Sequence, residues 1–154
     1  GAAKKAYRVP DLTPKDAADL FFVRSVLEGA AGELAARNMT EADIRGLERL
    51  AEETSAAWLA GDAGGYIKAN FAFHSGINGR AENDDLVTMI DALYARTGPW
   101  LAQGVVDLIQ VDRIEDGHWR IVTACAIGDA GEVRRLVEED AQWAINLFLN
   151  KRMS

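Results

Sequence analysis

The chain has 154 residues, 49% hydrophobic and 27% charged, with a formal net charge of −7. Such a chain can bury a core as one domain and is not disordered, and its acidity argues against gripping nucleic acid unaided. A single cysteine, Cys125, excludes a disulfide framework and a cysteine-rich zinc site. No run of about 20 apolar residues and no apolar leader points to a membrane or to secretion, so a reducing cytoplasm is the expected setting.

Residues 1–12 read as a loose lead-in, a linker or a trimmed remnant, since the chain opens on Gly1; the folded domain is expected over 13–154. Thr13-Pro14-Lys15-Asp16 starts a first helix, with Thr as N-cap, Pro at the first helical position and an acid at the third. Its apolar stripe is read as Leu20, Val23, Leu27, Ala30 and Leu34, with Arg24 and Glu28 beside it. Thr40-Glu41-Ala42-Asp43 starts a second helix through Ile44, Leu47, Leu50, Ala51, Trp58 and Leu59, stopped by Gly61. Asp62 caps a third, running to about Gly79. Asn83 caps a fourth with Leu86, Met89, Ile90 and Leu93 inward, broken at Gly98-Pro99. Trp100 to Ile109 reads as a fifth. A sixth begins around 114–116 with His118, Ile121, Val122 and Cys125 on its apolar face and ends at Gly128. Asp129 opens the last helix in the form of a capping box, with Val133, Leu136, Val137, Asp140, Ala144, Leu147 and Phe148 on its stripe and Lys151-Arg152 at its end. No strand, hairpin turn or repeat is evident. The expected fold is all-α, an antiparallel bundle of six to seven helices joined by short loops.

The most informative stretch lies in the third helix, from Tyr66 to Ile77. At helical period Ile67, Asn70, Phe71, His74 and Ile77 share a stripe, so an amide and an imidazole one turn apart are aimed into an apolar interior. Buried polar groups need partners. The sixth helix offers His118 on its own apolar face, and the last offers Asp140, whose carboxylate at that position wants a cation or a strong donor. His74 and His118 are the two histidines of the chain. If Asn70, His74, His118 and Asp140 converge, they make a site for Zn, Ni, Mn or Fe with room for water or a ligand.

Blander readings stand beside this one. A single histidine on an apolar face is more often a hydrogen-bonded core residue, and Asp140 alone can serve an arginine of another helix. Glu115 and His118 form a Glu-x-x-His, but a di-iron bundle needs two such motifs and two further glutamates. Cys125 reads as core. Trp58, Trp100, Trp119 and Trp143 read as packing or interface residues. Arg24 is either a surface partner of Glu28 or a buried guanidinium ready for a carboxylate. A phosphate loop, a serine nucleophile elbow and a His-Glu-x-x-His are all missing.

Taken together, Leu20-Phe21-Phe22-Val23-Arg24-Ser25-Val26-Leu27-Glu28, Ala35-Ala36-Arg37, Phe73-His74, Asn83-Asp84-Asp85-Leu86, Gly117-His118-Trp119-Arg120-Ile121 and Ala126-Ile127-Gly128-Asp129 resemble the C-terminal effector-binding (FCD) domain of FadR-subfamily GntR transcription regulators, over roughly residues 15–149. The resemblance implies a helical bundle with a central metal held by an Asp and a His one turn apart and two later histidines. Those positions match Asn70, His74, His118 and Asp140, so this chain departs twice, with Asn for Asp and Asp for His. One carboxylate is kept but moved to another helix. The weaker set should lower affinity for the ion, and a water-filled site stays open. The resemblance also implies a small organic acid as effector, gripped by the metal and by an arginine matching Arg24, with Arg80, Arg96 and Arg120 as further candidate neighbours. It implies homodimerisation, and DNA binding through an N-terminal winged helix absent from this chain. Two other readings of the same residues are a metal-dependent enzyme built on two histidines and a carboxylate, and a helical scaffold whose His and Asp satisfy each other.

Overall fold

The computed structural model describes residues 12–109 and 117–152, with side chains as far as residue 146. Six helices follow one another: α1 Pro14–Ala35, α2 Glu41–Leu59, α3 Ala63–Gly79, α4 Asp84–Leu108, α5 His118–Ile127 and α6 Ala130–Arg152. Among the described residues there is no strand, and no helix is long and apolar enough to cross a membrane. Local chemistry sets most helix ends. Thr13 with Asp16, and Thr40 with Asp43, form complete capping boxes, and Asp62 and Asn83 cap α3 and α4. Gly128 closes α5 in the left-handed conformation, φ 72°, which glycine adopts without steric cost. Asp129 accepts from the backbone N–H of Glu132, whose own carboxylate is taken by Arg135.

One expected break is absent. Gly98-Pro99 lies inside a continuous α4. An interior proline costs about 3 kcal/mol. Beyond it Trp100, Val105 and Leu108 are buried with Phe21 and Ile145, and large side chains buried at roughly 1.5–3 kcal/mol each outweigh that cost. The start read at 114–116, with Glu115, lies outside the described residues, as do the side chains of Leu147 and Phe148.

The phase of two stripes also differs from expectation. In α1 the buried face is Ala17, Phe21, Arg24, Ser25, Glu28 and Gly32, while Val23 faces out. In α3 Phe73 is fully buried whereas Phe71 is 47% exposed, and in α4 Met89 is exposed. Leu59 of α2 is exposed too. Each helix takes the phase that its neighbours can pack, and α1 is pressed closely by α6. A Cβ on Gly32 would stand 3.1 Å from Val133 Cγ1, and one on Gly29 would meet the Glu138 side chain at 2.6 Å.

The core is stratified along the helix axes. One apolar cluster joins Ala35, Ala51, Phe73, Ile77, Ile121, Cys125, Val133 and Val137. Another joins Ala17, Phe21, Trp58, Trp100, Leu108 and Ile145. Between them each long helix breaks its apolar face at the same level: Arg24 and Glu28 on α1, Thr54 on α2, Asn70 and His74 on α3, Thr97 on α4 and Asp140 on α6. His118 enters that layer from the first residue of α5.

Candidate functional site

The polar layer has two halves. In the first, His74 Nε2 lies 3.2 Å from Asp140 Oδ2, and His118 Nε2 lies 2.9 Å from Asn70 Oδ1. The imidazole centroids are 5.5 Å apart, and Phe73 meets both edge-on, at 4.6 Å from His118 and 5.4 Å from His74. Thr54 donates its hydroxyl to the carbonyl of Ala51 at 2.7 Å, and its oxygen is 3.4 Å from His118 Nδ1. With Nδ1–H directed at that oxygen, Nε2 keeps a lone pair that an ion can take; with the proton on Nε2 instead, the ring donates to Asn70 Oδ1. His74, His118 and Asp140 each present a ligand atom within 4.8 Å of the others. Two ligand atoms about 2.1 Å from one ion stand roughly 3.0–3.4 Å apart when adjacent. The His74–Asp140 separation fits that spacing, and the His118–Asn70 one comes close to it. Two imidazoles, a carboxylate and an amide oxygen suit a first-row divalent ion.

Asp140 keeps 19% of its side chain exposed. Burial alone would push its carboxyl up. The hydrogen bond with His74, then the fields of His118, His74 and Arg24, outweigh that and hold it at about 2. Its other oxygen lies against Gly117, where an added Cβ would come within 3.3 Å. Gly117 caps the N-terminus of α5, where the helix dipole favours negative charge.

In the second half, Arg24 is 3% exposed and Glu28 1%. Arg24 Nε is 3.1 Å from Glu28 Oε1, and Nη1 donates to Thr97 Oγ1 at 3.1 Å; the Thr97 hydroxyl in turn donates to Leu93 O. The guanidinium carbon is 4.1 Å from the Tyr94 ring centroid and 4.6 Å from that of Phe21, a cation–π setting away from water. Burial, then the neighbouring Glu28 charge, pushes the Tyr94 phenol well above its ordinary range. Arg24 is therefore the buried guanidinium, and Glu28 its partner within the core.

A cavity connects the halves. Its volume is about 30 Å³, room for roughly two waters. Arg24, Asn70, His74 and Asp140 give it polar walls, and Trp58, Tyr66 and Trp143 aromatic ones. His118 stands behind Asn70 and is not part of the wall. Arg80, Arg96 and Arg120 are elsewhere. Arg80 donates to the carbonyl of Asn38 and pairs with Asp43, Arg120 pairs with Glu139 on the surface, and Arg96 is exposed. Thr54 and Thr97 carry no sequence expectation, and Phe73, quoted only as part of the family likeness, gains its place against the imidazoles from the structure. Thr54 had a usable signal, since it continues the spacing of Leu47, Ala51 and Trp58.

The fold and the layer together define a class: a helical bundle with a small polar cavity across its middle. Residues 19–142 match the FCD domain, and the chain belongs to that family, found in GntR-type transcriptional regulators. It is 33% identical over 124 residues to a probable D-xylose utilization operon transcriptional repressor of Paenarthrobacter nicotinovorans, covering 79% of this chain and 53% of the relative. It is 32% identical over 100 residues to the HTH-type transcriptional regulator McbR of Escherichia coli K12, covering 65% and 45%. This chain thus spans about half the length of these curated relatives, which are regulators and not enzymes. Among solved structures, E. coli McbR/YncC superposes with a TM-score of 0.83 at 25% identity, over 98% of this chain and 76% of that one. Streptococcus agalactiae GntR shares the fold, with a TM-score of 0.69 at 20% identity over 84% and 58%.

Proposed function

We propose that this chain is the effector-sensing and dimerising part of a FadR-subfamily GntR regulator, binding a small organic acid through a divalent metal and leaving DNA contact to a part of the protein outside this chain. The observation that carries the reading is the meeting of His74, His118 and Asp140 within 4.8 Å beside a cavity that Arg24 also lines. His74, His118 and Asp140, with Asn70 alongside, hold the ion. When bound, the ion supplies a Lewis-acidic anchor for the acid's carboxylate. Arg24 also lines the cavity and adds a charge-assisted donor to that same carboxylate. Thr54 and Phe73 orient the rings.

A route outward exists in the same residues. Arg24 joins α1 to Thr97 and Tyr94 of α4. The outer faces of these two helices expose Phe22, Val23, Val26 and Met89, a surface suited to a second copy of the chain. A ligand that draws Arg24 inward biases how α1 and α4 pack, and so the relative populations of dimer arrangements.

A metal-free cavity is the second reading. It is favoured by the pairing of His74 with Asp140 and of His118 with Asn70, which satisfies these groups without an ion. Elemental analysis with native mass spectrometry of wild type and His118→Ala decides between the two. We expect a dimer with about one first-row metal per chain, and a helical His118→Ala dimer without it. A wild type that stays metal-free after incubation with Zn²⁺ refutes the metal reading.

A further inference from the structure

The Arg24–Glu28 pair has a property that its role as an anion clamp does not explain. A guanidinium meant to grip a carboxylate is most useful with its charge unspent, yet Glu28 faces it at 3.1 Å with both partners almost fully buried. The geometry is poor as a hydrogen bond: Arg24 Nε and both Glu28 oxygens lack a well-aligned hydrogen-bond partner. A buried pair of this kind costs desolvation that its attraction repays only with excellent geometry. Glu28 also lies behind Arg24. Arg24 lines the cavity and Glu28 does not. The carboxylate therefore cannot touch a ligand, but its charge acts on whatever Arg24 meets, through a medium where Coulomb forces are poorly screened.

The sum of charges around the cavity follows directly. Arg24 contributes +1, and Glu28 and Asp140 contribute −1 each. A divalent ion at His74, His118 and Asp140 brings the total to +1. One carboxylate neutralises that. A second leaves an uncompensated buried negative charge, which is strongly unfavourable.

We propose that Glu28 is the charge-selectivity residue of the cavity, limiting it to acids that carry one negative charge and rejecting dicarboxylates. The inference rests on the acid-binding reading above. Glu28 acts at one remove, by cancelling Arg24 from behind, and shape is left to Trp58, Tyr66 and Trp143.

The test uses the Zn²⁺-loaded chain and two acids that differ by a methyl against a carboxylate on the same carbon, lactate and tartronate. Calorimetric titration of wild type is expected to give a Kd for lactate about tenfold or more below that for tartronate. Glu28→Gln removes one negative charge, and the ratio is expected to fall by about tenfold or to reverse. A merely structural role would weaken both acids together and leave their ratio alone. A wild type that prefers tartronate overturns the proposal, and this measurement needs no variant if Glu28→Gln fails to fold. An unmoved ratio in a folded Glu28→Gln overturns it as well, while the acid-binding reading survives. If neither acid binds Zn²⁺-loaded wild type, the acid-binding reading falls and takes this inference with it.

Discussion

The polar layer and the apolar cluster of Phe73, Ile77, Ile121, Cys125 and Val137 lie side by side in one bundle and are buried to similar depth. Apart from Phe73, whose ring also meets both imidazoles, the cluster closes on itself with side chains that need nothing but neighbours. The layer is assembled from groups that are costly to bury: a guanidinium, two carboxylates, two imidazoles and an amide. Burial therefore does not distinguish structure from function here. What distinguishes them is the burial of polar side chains at one level of the long helices; four of these side chains, Arg24, Asn70, His74 and Asp140, line a cavity. A chain under pressure for stability alone would replace such a layer with hydrophobic residues, since isosteric apolar replacement of a buried ion pair is often neutral or stabilising.

The largest test of that contrast separates the charges. Arg24→Met leaves Glu28 buried without its counter-charge and is expected to cost about 3–5 kcal/mol. The double change Arg24→Met with Glu28→Leu is expected to recover most or all of that loss. Urea unfolding of the three proteins gives the comparison. A double variant as unstable as the single one would mean that the pair serves the fold and that the layer differs from the cluster only in composition.

A smaller effect probes the support of the metal-type half. Thr54→Val keeps the shape of the side chain but removes the oxygen that faces His118 Nδ1. Losing such a supporting contact typically lowers metal affinity by about 10–100-fold, against a stability cost of about 1 kcal/mol. A Zn²⁺ competition titration measures the first and urea unfolding the second. Unchanged Zn²⁺ affinity would place Thr54 with the cluster and not with the site.

The same contrast explains what the sequence made legible. Helix ends were readable because capping is local: Thr13 needs only Asp16, and Gly128 only its own φ. The polar residues of α3, α5 and α6 were readable because each stood out on an apolar face. The phase of α1 was not. Its buried face carries Arg24, Ser25 and Glu28 while its outer face carries Phe22, Val23 and Val26, so a rule that turns apolar residues inward picks the wrong side. Phe71 and Met89 misled in the same way. Pro99 was read as a break because the burial of Trp100 and Leu108 that carries α4 past it is invisible to local propensity. Pro99 apart, the errors fall on helix faces that leave apolar residues exposed, where local pattern and global packing disagree.

Cys125 marks the dry side of the contrast and carries the smallest expected effect. It is buried in the apolar cluster, and burial pushes its thiol up to about 11 from an ordinary 9.0. Because the thiolate is the reactive form, native protein at pH 8 is expected to react with a disulfide reagent at a small fraction of the rate of urea-unfolded protein. The linkage has a definite sign. The folded state holds the Cys125 proton more tightly than the unfolded state does, so this contribution to stability is whole below pH 9 and is lost as pH rises through 11. Ligand binding in the layer should leave the labelling rate nearly unchanged, since the residues that line the cavity and those of the Cys125 cluster are different sets. A rate that rises when Zn²⁺ or an acid is added would show that the cluster opens with the site, and the two regions would then have to be treated as one mobile unit.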